Sequence, residues 1–265
     1  MAHPTHHELT GSAERAAVAE FAYTAVSGEL RLRAVVPLLL EGEPAFTLTF
    51  AESEVAEEIK RSPRVVLVFS DSRLAYLGWE ALAVSARVEV FHDPAGEIFR
   101  EKLLHQELRK FRSERDLIGS LLLQRENWWY MGRHVVRLID PGDPYPVARR
   151  SGADQAVLAW GEGAELTADT VEVDDWDSGR MAVRSLSGRE LPADVPAAVF
   201  YHDFSVPDME QRVSFLATGR LVNGRLVVER REGSRDLGER PGLLTRWRAF
   251  RDLRRRCREG IRRYE

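Results

Sequence analysis

Ser62-Pro63-Arg64-Val65-Val66-Leu67-Val68-Phe69 leads into Trp79-Glu80-Ala81-Leu82-Ala83-Val84-Ser85-Ala86-Arg87-Val88. The pattern returns later. Val195-Pro196-Ala197-Ala198-Val199-Phe200-Tyr201-His202 leads into Arg212-Val213-Ser214-Phe215-Leu216-Ala217-Thr218-Gly219-Arg220-Leu221. Pro63 and Pro196 are 133 positions apart, and so are Arg87 and Arg220. A period above a hundred residues is too long for a solenoid unit. It predicts two copies of one small β-rich domain in a single chain, a built-in pseudo-dimer.

Working outward, Leu30, Leu32, Ala34 and Val36 alternate and run into an apolar stretch, which predicts a strand over 29–40. Glu41-Gly42-Glu43-Pro44 is a turn, and Phe46, Leu48 and Phe50 mark the returning strand. Ser53 then caps a short helix that Pro63 ends, because the residue before a proline avoids the helical region. Strands are predicted over 64–70 and 75–91. An apolar stripe over Ile98, Phe99, Leu103, Leu104, Leu108 and Phe111 predicts one helix; Leu117, Ile118, Leu121 and Leu122 predict a second. Tyr130 to Ile139 reads as a closing strand, with Trp128 and Tyr130 on one side and Trp129 and Arg133 on the other.

The second half reads as strands over 155–160, 165–173, 180–186, 197–202, 212–222 and 225–231. Asn223-Gly224 supplies a type I′ hairpin signal. The chain closes in a helix whose Leu243, Trp247, Phe250, Leu253, Cys257, Ile261 and Tyr264 recur at steps of three and four. Antiparallel strands without alternating crossover helices favour small barrels over a Rossmann sheet. The expected class is α+β, mainly β, with two tandem split barrels. The expected division is a flexible tail over 1–13, a helix over 13–22 opening a first domain over 14–140, a linker over 141–152, and a degenerate second copy over 153–265 that ends in the basic helix.

Composition excludes several functions. Of 265 residues, 44% are hydrophobic and 30% charged, which is globular rather than disordered. No apolar run reaches the ~20 residues of a membrane span, and the polar start carries no signal-peptide core. With Cys257 the sole cysteine, no internal disulfide forms, and a reducing cytoplasm is expected. The net charge of −4 argues against nucleic acid, although nine arginines face only Asp252, Glu259 and Glu265 from Pro241 onward. Asp174-Asp175-Trp176-Asp177 lacks the closing Glu of a calcium loop, since Leu186 stands there. No Walker, GxGxxG, HExxH or GxSxG motif occurs, no metal site is expected, and no residue stands out as catalytic.

The first half resembles the FMN-binding split barrel of the pyridoxamine 5′-phosphate oxidase-like superfamily. The pieces in order are Arg31 to Pro37, Gly42 to Phe50, the helix Ser53 to Ser62, Pro63 to Leu67, and Trp79 to Val90 followed by His92-Asp93-Pro94. The resemblance covers about residues 20–140 and extends weakly over 155–235. It implies a cofactor, FMN, the deazaflavin F420 or haem, in a groove between two barrels, and a flavin-dependent oxidoreductase of unassigned substrate. The alternatives on the same fold are a non-catalytic cofactor-binding or scaffold protein and a haem binder. Partners would be small molecules, without membrane or nucleic acid, and a further homodimer is compatible with the reading.

The sequence departs from the family where many members carry a basic residue eight positions before the helix-ending proline. Here that residue is Val55, amid Glu52, Glu54, Glu57 and Glu58. Phosphate neutralisation would pass to Arg31, Arg33 or Arg61, with the hydroxyls of Thr47, Thr49 and Ser53, since a guanidinium grips phosphate bidentately. Trp79 would flank the cofactor ring. A haem would draw its axial ligand from His92, His105, His134 or His202.

Overall fold

A computed structural model describes residues 4–71, 79–110, 125–205, 211–238 and 242–265. The first unit contains α1 (His6–Arg15), β1 (Ala19–Thr24), β2 (Leu30–Val35), β3 (Leu38–Leu40), β4 (Glu43–Thr49), α2 (Ser53–Arg61), β5 (Val65–Phe69) and β6 (Leu82–Asp93). A π-turn (Phe99–Leu103) runs into α3 (Leu104–Lys110), and α4 (Trp128–Met131) leads to β7 (Arg133–Ile139). The second unit contains β9 (Gln155–Trp160), β10 (Thr167–Asp174), β11 (Arg180–Ser185), β12 (Val195–Phe204), β13 (Arg212–Val222) and β14 (Arg225–Gly233). The short β8 (Tyr145–Pro146) joins the units, and α5 (Leu243–Ile261) ends the chain.

The repeat is visible in strand order. The first sheet runs β2-β1-β5-β6-β7-β4-β3, and the second β10-β9-β12-β13-β14-β11, closing from β11 back to β10. Apart from β3, which has no counterpart, these are one topology strand for strand. The equivalence is not gap-free, however. Val65 pairs with Ala86, whereas Ala198, 133 positions beyond Val65, pairs with Thr218 and not with Gly219. The second copy has therefore slipped by one residue.

The copies differ in closure, and Pro37 supplies the reason. It has no N–H for a ladder bond, so the strand expected over 29–40 breaks into β2 and β3. Beyond the break, β3 pairs with β4 through a turn whose Glu41 and Gly42 both have positive φ. β4 therefore never reaches β2, and the first barrel stays split. In the second copy β10 and β11 pair directly. Asn223 (φ 49°) and Gly224 (φ 73°) turn β13 into β14 without helices between.

Three local expectations are corrected. Residues 6–15 are helical and packed: Thr5 and Glu8 form a capping box, and Leu9 and Ala13 are fully buried, so this stretch is no loose tail. The helix expected over 13–22 gives way after Arg15 to β1, whose residues Ala19 to Tyr23 are all buried. Trp128 to Met131 form a helical turn before β7 begins at Arg133. The helix read over Leu117 to Leu122, and the opening of the strand read from Ala75, lie outside the described residues.

The two units share a core. Phe21, Phe46 and Val66 of the first belong to one apolar cluster with Val157, Phe200 and Leu216 of the second. Leu158, Val171, Met181 and Leu221 fill the closed barrel separately. The segment expected to be a linker is pinned at both ends. β8 pairs with β6, and Arg150 is buried at the seam.

Candidate functional site

A cleft of about 450 Å³ lies at the seam between the units. Its first wall is β2, and every residue from Arg31 to Val36 lines it. Successive side chains of a strand point to opposite faces, so six in a row meet one cavity only where the cavity meets the strand's edge. β2 is the end strand of its sheet, and among the described residues no strand pairs with its outer edge. The opposite wall comes from Phe200, His202 and Phe204 of β12 and from β13. Val55 and Glu58 of α2 close one side.

Arginines ring the cleft. Arg31 bonds Glu29 at 2.9 Å and Glu232 of the second unit at 2.7 Å, and Arg33 pairs with Glu52. Arg212 lies on the second wall. Tyr23 lines the floor, its hydroxyl donating to Glu58 at 3.3 Å, and burial pushes its pKa up to about 12. This phenol stays protonated as a donor.

Behind the wall lies a buried polar cluster. Glu20 Oε1 accepts from His202 Nε2 at 2.8 Å, from Arg150 Nη2 at 2.7 Å and from Ser70 Oγ at 2.8 Å. Burial alone would raise the Glu20 pKa, but Arg150, His202 and Ser70 outweigh it and hold the carboxyl at about 2. His202 Nε2 also lies 2.6 Å from Arg150 Nη2, and the buried Nδ1 of the same ring has no partner among the described residues.

A second cluster sits under the end of α5. Ser53 Oγ donates to the Phe50 carbonyl at 2.8 Å and so accepts from His134 Nε2 at 2.9 Å. His134 Nδ1 is then left to accept from His92 Nδ1 at 2.8 Å. His92 Nε2 faces Glu57 at 3.4 Å, and Tyr264 donates to the same carboxylate at 3.2 Å while packing on both imidazoles. Burial first, and then His92, lower the His134 pKa to about 4.

The residues singled out from sequence separate. Arg31 and Arg33 line the cleft, and so does Val55. Thr49 lies next to it, its hydroxyl bonded to Glu52 at 3.2 Å. Ser53 belongs to the histidine cluster. Arg61 is exposed and among the described residues pairs with Glu57, at 3.9 Å. Trp79 is 2% exposed and donates from Nε1 to Ser12 of α1 at 3.3 Å, within the core and not on the cleft wall. Of the four histidines offered as axial ligands, His202 lines the cleft and His105 is exposed. Glu20, Arg150 and Arg212 escaped the sequence reading. The one local signal was a carboxylate inside the otherwise uncharged run Ala19 to Thr24.

Among the described residues no helix is long and apolar enough to cross a membrane, and no group of three or more His, Cys, Asp or Glu could hold a metal. No protein-family model and no curated protein matches the sequence. The fold is similar to that of pyridoxamine 5′-phosphate oxidase-like split-barrel proteins. The Mycobacterium tuberculosis protein Rv2991 matches at 16% identity over 56% of this chain and 92% of its own, with a TM-score of 0.38. A Clostridium acetobutylicum protein related to general stress protein 26, of the pyridoxinephosphate oxidase family, matches at 10% identity over 62% and 92%, with a TM-score of 0.34. HutZ, the haem storage protein of Vibrio cholerae, matches at 9% identity over 53% and 92%, with a TM-score of 0.32.

Proposed function

We propose that this chain binds a flavin-type cofactor, FMN or F420, in the seam cleft and acts through it as an oxidoreductase. The observation that carries the reading is the free edge of β2 lining an apolar slot beside Arg31, Arg33 and Arg212. The donor set suits the group. A flavin ring presents an imide edge of alternating acceptors and a donor, and a strand edge offers alternating N–H and C=O partners. Val35, Val55, Phe200 and Leu216 give the ring an apolar bed. Arg31 and Arg33 would hold the phosphate, exchanging part of their bonding to Glu232 and Glu52 for it. Hydride transfer is the chemistry a bound flavin supplies. The chain's own residues would bind, orient and exclude water.

Haem is the second reading, favoured by His202 on the cleft wall with its unpartnered Nδ1. One experiment separates the readings. The full chain is purified from a host that makes both FMN and F420, and its absorbance spectrum and the mass of any released compound are recorded. Stoichiometric flavin or deazaflavin supports the proposal, and a Soret band replaces it with haem. A colourless protein that takes up none of the three overturns both and leaves a scaffold.

A further inference from the structure

The solvent face of α5 carries five guanidiniums in one row. Arg251, Arg254, Arg255, Arg258 and Arg262, with Glu259, line an open groove of about 400 Å³. Residues three and four apart are neighbours on a helix, so the row runs along the axis for about 16 Å. Counting back from Arg251 by the same steps reaches Trp247 and Leu244, 57% and 74% exposed. Five large hydrophobic side chains are exposed among the described residues, and four of them gather here. Leu244, Trp247 and Phe250 belong to α5, and the Trp128 ring lies 5.6 Å from the Arg258 guanidinium.

The row is short of counter-charge. Arg255 reaches Asp252 and Glu259, and Arg256 shares Asp252. Among the described residues Arg254 and Arg262 pair with no carboxylate, and Arg251 rests on the Trp247 ring at 5.0 Å. Positive charge is thus gathered on one helix of a chain whose net charge is −4. The α5 of a second copy would bring like charge to the row. A nucleic acid would meet the guanidiniums and stack on Trp247, but it would leave Leu244, the most exposed of the set, in water. An anionic lipid surface suits both kinds of side chain. Headgroup phosphates take the guanidiniums, and the interface beneath them takes the tryptophan rings and the leucine. A helix attached in this way lies in the surface and needs no membrane-spanning segment.

We propose that α5 docks this chain on an anionic phospholipid surface, with the arginine row on the headgroup phosphates and Leu244 and Trp247 inserted below them. The docking does not depend on a cofactor in the seam cleft. The test sediments the full chain with vesicles of phosphatidylcholine, and with vesicles of phosphatidylcholine and phosphatidylglycerol in equal parts, at low and raised salt. Titration with a single-stranded oligonucleotide, and gel filtration without vesicles, run beside it. Binding to the mixed vesicles alone, weakened by salt, is expected. Arg254→Glu and Arg262→Glu together should weaken it about tenfold or more, since each arginine near such a surface adds to the attraction. Leu244→Ser should weaken it about tenfold while leaving the salt dependence unchanged, which marks lost apolar insertion. All three side chains stand in solvent, so these variants should keep the fold. No sedimentation with the mixed vesicles, equal sedimentation with both kinds, or binding unmoved by the arginine substitutions or by Leu244→Ser would overturn the proposal. So would an oligonucleotide bound where vesicles are not, or a dimer that the arginine substitutions dissociate.

Discussion

Glu20 of β1 and His202 of β12, 182 positions apart, meet at 2.8 Å across the seam, with Arg150 bonded to the same carboxylate oxygen at 2.7 Å. The ion pair fastens one barrel to the other where neither partner sees water. Removing the Glu20 carboxylate takes away the counter-charge that the buried Arg150 guanidinium holds at 2.7 Å. Glu20→Gln should therefore destabilise the chain by about 3–5 kcal/mol, measured by urea unfolding at pH 7. The variant should also lose acid sensitivity. The Glu20 carboxyl, held at about 2 against an ordinary 4.5, gives stability that is present above 4.5 and lost as pH falls toward 2. A wild-type stability curve flat from pH 4.5 to 2.5 would refute this assignment.

The histidine pair under α5 makes a separate prediction. A first proton is accommodated on His92 Nε2, which faces Glu57 at 3.4 Å. A proton on His134 Nδ1 must break the 2.8 Å bond from His92. His134, lowered from 6.5 to about 4, is neutral in the fold, so its contribution to stability is present above 6.5 and lost as pH falls toward 4. Imidazole NMR titration should find His134 titrating near 4. Tyr264→Ala uncovers His92 and should raise its lowered pKa toward 6.5. A His134 midpoint near 6.5 in the wild type would show that the pair is not formed.

What the sequence made legible followed local rules. The Asn223-Gly224 turn, the helix between Ser53 and Pro63, and the strands of the second copy each rest on neighbours a few positions apart. The repeat was legible because apolar strand patterns survive drift. The one-residue slip was not, because register is decided by pairing across the sheet. Packing also decided the N-terminus. Leu9 and Ala13 form an apolar stripe too short to read before the sheet beneath it is known. Trp79 misled because an aromatic at a strand's start serves a core as well as a ring cofactor, and its indole met Ser12. Glu20, His202 and Arg150 come from three distant segments, and no spacing rule joins them.

Arg33 and Arg61 divide what charge alone could not. Both are arginines near α2, but Arg33 lines the cleft, whereas Arg61 is solvent-exposed and pairs among the described residues with Glu57. Under the cofactor reading, Arg33→Ala should weaken FMN binding about tenfold or more, the usual loss for a charge-assisted phosphate contact. Arg61→Ala should leave it within about twofold, as expected of a screened surface charge. Fluorescence quenching of FMN on titration with each variant reads both. Equal affinities for wild type and Arg33→Ala would remove Arg33 from the site.

Gly260 controls how α5 attaches. From Leu244 to Arg251 the helix is largely exposed: Leu244 and Trp247 stand in solvent, and Phe250 meets the Trp129 ring edge-on at 5.3 Å. The buried attachment lies at the far end, where Cys257 and Ile261 are buried and Gly260 packs against the Phe50 carbonyl. A Cβ at position 260 would overlap that oxygen. Backbone cannot swing aside as a side chain can, so Gly260→Ala must lift the helix end, at a cost of about 1–3 kcal/mol for overpacking. Lifting it also withdraws Tyr264 from His92 and His134. Hydrogen exchange should therefore quicken along Leu243 to Ile261 and at the turn Phe50 to Glu52, while the barrel strands of the second unit keep their protection. Faster exchange throughout the chain would instead mean that α5 is integral to the fold, and unchanged exchange would mean that the close contact at Phe50 does not hold the helix in place.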